Sequence, residues 1–234
     1  MPNLKVQNLN PIVIFDLDGT LAHTAPDLLD SLNHALRQFG YSPVSADDID
    51  ILVGQGAKAM IERALKAQNV KPSDKIIDDL LGHFLDFYHR TMPGKTRYFS
   101  GVDTVLDDLI ACGFTLAVCT NKSQDSARHL LSFLEPKQRF TAICGGDSFE
   151  WRKPDPRHII ATIHQAGGDR NRAVMIGDSF ADIDAAKGVP IPVIGVDFGY
   201  SDVPVDQLGA DYVVSDFSAI GHLVKKLLKR ENDA

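Results

Sequence analysis

Six short β-type runs punctuate this chain: IVIF (12–15), FTLAVC (114–119), TAIC (141–144), AVMI (173–176), VIGV (193–196) and DYVV (211–214). Several are apolar throughout instead of alternating, the pattern of strands covered on both faces. Helical periodicity fills most of the gaps, over 102–111, 126–134, 156–166 and 219–229. Strand alternating with helix predicts a parallel sheet with helices on both sides, an α/β Rossmann-like core. Asp155 before Pro156 reads as an N-cap with proline at the first helical position, and Gly188 reads as the stop after a helix ending at Lys187.

One interval breaks the rhythm. Between Thr20 and about Phe99 there is no convincing strand, only helical patterns over 25–39, 57–68 and 76–90. This predicts a small all-helical domain inserted after the first strand, with TMPGKTRYFSG (91–101) as the return linker. The expected division is a core of 1–21 plus 97–234 and an insertion of 22–96; 234 residues suffice for two unequal domains.

Composition excludes several classes. With 44% hydrophobic and 24% charged residues the chain reads as an ordinary globular protein. A net charge of −7 gives no basic footprint for nucleic acid or anionic lipid. The first ten residues, MPNLKVQNLN, lack a signal-peptide pattern, and no apolar run is long enough to span a bilayer, so a cytoplasmic address is expected. Cys112, Cys119 and Cys144 show no CxxC spacing and are read as reduced packing residues. The eight histidines show no zinc-ligand spacing. Trp151 is expected to pack its loop, and the 225–230 KKLLKR segment to end the last helix in solvent.

In an open parallel sheet the ligand crevice lies beyond the carboxyl ends of the strands. The informative residues are therefore those just after each run. Asp16, Asp18 and Thr20 follow the first; Thr120, Asn121 and Lys122 follow the second; Gly177, Asp178 and Ser179 follow AVMI, with Asp182 a turn later. Lys153 lies between TAIC and the helix opened by Pro156. Converging carboxylates repel one another unless a hard cation sits among them, and a site of carboxylates and water suits Mg²⁺. Such an ion neutralises charge on a transferring phosphoryl group. One carboxylate then becomes a reasonable nucleophile, and a second can protonate the leaving alkoxide and later deprotonate water. Thr120 and Lys153 would hold the equatorial oxygens.

The motifs DLDGT, the strand ending in TN, the lysine of RKPDP, and GDSFAD resemble, in that order, the four motifs of the haloacid dehalogenase-like phosphohydrolases. The resemblance covers nearly the whole chain. It implies Asp16 as phosphorylated nucleophile and Mg²⁺ ligand, and Asp18 as general acid/base whose backbone carbonyl also binds metal. It further implies Thr120, Asn121 and Lys153 as phosphate-binding, Asp178 as a metal ligand and Asp182 as its supporting carboxylate. The helical insertion resembles the cap that closes over the site in this family. DGTLAHTAPDL, VGQGAKAMIERAL, CTNKS and GDSFADIDAAKG are most similar to the bacterial phosphoglycolate phosphatases, which implies hydrolysis of 2-phosphoglycolate to glycolate. One departure is His23, which stands where that family usually has aspartate and alters the electrostatics of the hinge.

Other readings stand beside these. Asp182 fits a capping box from Ser179 as well as a supporting role. Thr120 and Asn121 could cap the next helix, and Lys153 could be a solvated surface lysine. Gly54, Gln55 and Gly56 form a turn before a helix near Ala57; if that turn lies over the crevice, Gln55, Lys58 or Arg63 could read the carboxylate of a small anionic substrate. A phosphomutase of the β-phosphoglucomutase type is the main rival, although Thr20 leans towards hydrolysis. Phosphatases for other small metabolites, a dehalogenase and a catalytically silent binding protein are further alternatives. The expected partner is a small phosphorylated metabolite, for a monomer or homodimer.

Overall fold

A computed structural model describes residues 9–49 and 52–228. The segments read from residues 1–8, and from Lys229 and Arg230 at the C-terminal end, lie outside the described residues. The elements follow in chain order: β1 (Asn10–Phe15), β2 (Ala22–His23), α1 (Ala25–Gln38), α2 (Ala57–Ala67), α3 (Asp74–Thr91), β3 (Arg97–Tyr98), α4 (Val102–Ala111), β4 (Thr115–Cys119) and α5 (Gln124–Leu134). Then come β5 (Ala142–Cys144), α6 (Pro156–Ala166), β6 (Gly168–Gly177), α7 (Phe180–Gly188), β7 (Val193–Val196), β8 (Tyr212–Val214) and α8 (Ser218–Leu228). The architecture is α/β, as the strand–helix alternation predicts. No helix among the described residues is long and apolar enough to cross a membrane.

The six-stranded sheet has the order β5-β4-β1-β6-β7-β8, and every pair is parallel. β1 is central, and its run is apolar throughout because successive side chains enter different cores. Val13 and Phe15 pack with Leu116, Val118, Val174 and Ile176 under α4, α5 and α8. Ile12 and Ile14 pack on the other face with Ala117, Cys119, Ala173 and Met175 against α6 and α7. All four β1 side chains are fully buried, so the strand is clamped from both sides. From β1 the chain goes outward to β4 and β5 on one side, then crosses back through α6 to β6, β7 and β8 on the other, so the carboxyl end of β1 is the switch point where a crevice opens.

Between β1 and β4 the chain is largely helical, with α3 packed on α1 and α2. Each helix presents one apolar stripe to the others, through Leu28, Leu32 and Leu36, Met60, Ile61 and Leu65, and Ile77, Leu80 and Phe84. The interval is not wholly strand-free: β2 and β3 form a two-stranded antiparallel ribbon at its two ends. Two residues are too few to display a period, which is why sequence patterning passes over them.

Local signals behave as expected at Asp155, whose side chain accepts from the Arg157 N–H at 2.9 Å at the start of α6. α7 runs one residue further than the glycine rule suggests, including Gly188. Cys119 and Cys144 are buried packing residues, whereas Cys112 is exposed at the end of α4; all three are free thiols. Trp151 is half-buried and carries the Arg157 guanidinium 4.4 Å from its ring centre.

Candidate active site

The chain leaves β1 with the backbone N–H of Asp16 still bonded to Ile176 O at 2.9 Å, so this carboxylate is fixed by the sheet itself. It then folds back sharply: the N–H groups of Leu21 and Ala22 both reach Leu17 O, at 3.0 and 2.9 Å. Gly19 sits in this turn at φ +83°, and a Cβ there would collide with Asp178 Oδ2. Gly199, in the loop after β7, approaches the same carboxylate from the other side, where a Cβ would also collide. Asp178 is thus cradled by two glycines and held by two donors, Thr20 Oγ1 at 2.8 Å and the Tyr200 N–H at 2.6 Å.

Carboxylate oxygens of Asp16, Asp178 and Asp182 lie within 4.8 Å of one another, and all three residues are buried. Lys153 enters this group from the loop before α6, with Nζ 2.9 Å from Asp16 Oδ1 and 2.6 Å from Asp182 Oδ1. Asp182 forms the capping box and also reaches the cluster. Its Oδ2 accepts from the Ser179 N–H and hydroxyl at 3.1 and 2.8 Å, tying the start of α7, while Oδ1 holds Lys153.

Three acids against one ammonium leave the cluster electrostatically unbalanced. Burial pushes the Asp16 carboxyl up to about 6; Lys153 pulls it back and Asp182 adds to the rise. Burial, with Asp16 and Asp182 beside it, raises Asp178 well above the carboxylate range. Lys153 stays a cation: burial opposes its charge, but Asp16 and Asp182 outweigh burial and raise its pKa. Buried carboxylates raised by one another are the donor set a hard divalent cation stabilises, so the residues fit such an ion.

The Asp18 carboxylate stands apart from the cluster. Both of its oxygens are held by Lys122 Nζ, at 3.0 and 3.1 Å, in a pair that is nearly buried. Lys122 also lies 4.6 Å from the ring centre of Tyr88 on α3. Thr120 Oγ1 accepts from the Lys122 N–H at 3.2 Å. Asn121 spends its amide on two carbonyls, Lys153 O at 3.0 Å and Gly54 O at 3.4 Å, joining the lysine loop to the turn before α2.

These residues open onto a chamber of ≈ 280 Å³. Its floor carries Asp16, Asp18, Thr120 and Asn121; its opposite wall is Leu28, Met60, Leu81, Phe84, Leu85 and Tyr88, from α1, α2 and α3. Of the three residues singled out in the turn and α2, Lys58 borders the chamber but is paired with Asp78 at 3.0 Å. Gln55 and Arg63 instead line a small neighbouring recess with Ser179, Phe180, Tyr200 and Asp202. His23 lies outside the chamber as well. Its Nδ1 is 2.8 Å from the Tyr200 hydroxyl, and Tyr200 is the residue whose N–H holds Asp178.

Sequence reasoning did not assign roles to Lys122, Tyr200 or Arg152, which also lines the chamber. Lys122 and Arg152 each adjoin a recognised site residue, and Tyr200 follows a glycine after a strand end; position was the available signal.

Comparison with known proteins gives the family. A family model described as haloacid dehalogenase-like hydrolase matches residues 13–196. A phosphoglycolate phosphatase of Agrobacterium fabrum is 49% identical over 91% of each chain, and one of Mesorhizobium japonicum is 46% identical over 94% of this chain and 97% of the relative. The crystal structure of a predicted phosphoglycolate phosphatase from Haemophilus somnus superposes with a TM-score of 0.85 at 28% identity, covering 92% of this chain and 97% of that one. With its switch-point carboxylates, its buried lysine and a match spanning most of its length, the chain belongs to the haloacid dehalogenase-like hydrolases.

Proposed function

We propose that this chain is a Mg²⁺-dependent phosphatase that hydrolyses 2-phosphoglycolate to glycolate and phosphate through a phosphorylated Asp16. The observation that carries the reading is the convergence of Asp16, Asp178, Asp182 and Lys153 at the carboxyl end of the central strand. The relatives named phosphoglycolate phosphatase support the choice of substrate.

Asp16, with its backbone fixed by β6, attacks phosphorus through a carboxylate oxygen, and the bond to the glycolate oxygen breaks. Lys153 and Thr120 hold the phosphoryl oxygens, and Asn121 keeps the lysine loop in register through Lys153 O. Asp18 donates its proton to the departing alkoxide. It then takes a proton from the water that attacks the aspartyl phosphate, which regenerates Asp16 and releases phosphate. Lys122 holds both Asp18 oxygens in the structure, so Asp18 exchanges this ion pair for a proton from solvent before it serves as the acid. Asp16, Asp178 and the backbone carbonyl of Asp18 would hold Mg²⁺, which supplies neutralisation of the charge on the transferring oxygens. Asp182 supports the site by holding Lys153.

Residues 22–96 act in this reading as a cap, and 1–21 with 97–234 as the core. The β2–β3 ribbon at the ends of the insertion is suited to be the hinge. Closure presses the apolar wall over the phosphate and excludes water that would compete with the ordered one.

The test is phosphate release from 2-phosphoglycolate beside sugar phosphates, nucleotides and pyrophosphate, with Mg²⁺ and with chelator. Selective, chelator-sensitive release is expected. Equal release from other panel members would remove the substrate assignment, and conversion of β-glucose 1-phosphate to glucose 6-phosphate without phosphate release would favour a mutase.

A further inference from the structure

A substrate that carries a carboxylate besides its phosphate needs a second cation, away from the one that serves the phosphate. The chamber has three basic residues on its walls: Lys58, Lys122 and Arg152. Two already have carboxylate partners. Lys58 is bonded to Asp78, and Lys122 to both oxygens of Asp18. No carboxylate among the described residues lies within ion-pair distance of Arg152, which is exposed. Its guanidinium sits at the seam between the two walls: a Cβ on Gly56, in the turn before α2, would come 3.9 Å from Arg152 Nη1 and 3.0 Å from Asn121 O.

Arg152 and Lys153 are consecutive but face different ways. Lys153 is 2% exposed and turned onto Asp16 and Asp182, while Arg152 is directed to the chamber mouth. Adjacent Cα atoms are about 3.8 Å apart, so both cations spring from one point of the core loop and are directed to different parts of the same site. A guanidinium offers two parallel N–H donors that match a carboxylate, which an ammonium does not.

We propose that Arg152, from the core loop rather than from the helical insertion, binds the carboxylate of the substrate and so selects short phosphate monoesters of hydroxy acids. The inference rests on the phosphatase reading above and deepens it. It replaces the expectation that Gln55, Lys58 or Arg63 reads that group, since Gln55 and Arg63 line the adjoining recess and Lys58 is already paired.

The experiment compares 2-phosphoglycolate with 2-hydroxyethyl phosphate, the same monoester with an alcohol in place of the acid, in wild type, Arg152→Gln and Arg152→Lys. Thermal melts accompany the kinetics. Arg152→Gln is expected to raise KM for 2-phosphoglycolate about 30-fold, the scale of a lost charge-assisted pair, with kcat and the 2-hydroxyethyl phosphate constants within about twofold of wild type. Arg152→Lys should recover part of the loss. If wild type prefers the acid and Arg152→Gln keeps that preference, the role of Arg152 is overturned and the phosphatase assignment stands. An equal loss on both substrates would also overturn it, by pointing to a structural role. If wild type hydrolyses both monoesters equally well, the carboxylate-selective assignment falls with it.

Discussion

The two walls of the chamber are built on opposite terms. On the floor side, Asp16 and Asp18 line the chamber and are held by lysines, Asp18 by Lys122 and Asp16 by Lys153, which also bridges to Asp182, while Asp178 behind them takes two donors. On the facing wall the side chains are Leu28, Met60, Leu81, Phe84, Leu85 and Tyr88, held by packing alone apart from the Lys122 contact to Tyr88. The floor can place charge within tenths of an ångström because hydrogen bonds are directional; the wall can exclude water and shape the cavity without competing for the phosphate. Chemistry should therefore respond to substitutions in the floor, and fit and closure to those in the wall.

The largest effect should come from Asp16→Asn. Turnover is expected to fall by about 10⁴-fold or more, with the melt little changed, since the amide fills the same space at the end of β1. Wild-type-like phosphate release would remove the nucleophile. Lys153→Met comes next, with a loss of about 10³-fold in kcat/KM. It also strips the cation from two buried carboxylates, which costs stability on the order of 3 kcal/mol at neutral pH in metal-free enzyme.

That penalty has a pH signature. The folded Asp16 carboxyl, at about 6, lies above the ordinary value of 3.8, so its charge opposes folding above about pH 6 and ceases to do so as it takes up a proton towards pH 4. Removing Lys153 enlarges the rise. Unfolding curves of metal-free Lys153→Met and wild type should accordingly converge as the pH is lowered from 7.5 to 5; a constant gap would show that lost packing, not charge, is responsible.

In the wall, Leu85→Gln should raise KM for 2-phosphoglycolate a few-fold while kcat holds within about twofold, because the side chain is half-buried and lines the chamber from α3, on the wall facing the charged floor. A large kcat loss in steady-state assays would erase the division between the walls. His23→Ala is the smallest change: it removes the bond to the Tyr200 hydroxyl but leaves the Tyr200 N–H on Asp178. A loss of about 1 kcal/mol of stability and about twofold in activity is expected, read by melts and phosphate release.

The same division governs what the sequence discloses. Asp16, Thr120, Lys153 and Asp178 were legible because each follows a β-type run, and a parallel sheet gathers such positions at one edge. The capping role of Asp182 was legible because it is local, three residues from Ser179. Pairings between distant segments were not. Nothing in Asp18 or Lys122 alone announces that they meet across 104 positions, and the bond from Tyr200 to Asp178 depends on Gly199 allowing the approach. The chamber wall was readable as helix but not as wall, since a stripe of leucines and aromatics looks alike whether it meets another helix or a cavity. The β2–β3 ribbon was too short to carry a period.

The central claim, a covalent route through Asp16, is tested most directly by acid-quenching the enzyme milliseconds after mixing with ³²P-labelled 2-phosphoglycolate and Mg²⁺. The account predicts protein-bound label that survives acid, is released by hydroxylamine as an acyl phosphate is, and is absent from Asp16→Asn. Turnover with no such label, or label that persists undiminished in Asp16→Asn, would contradict it.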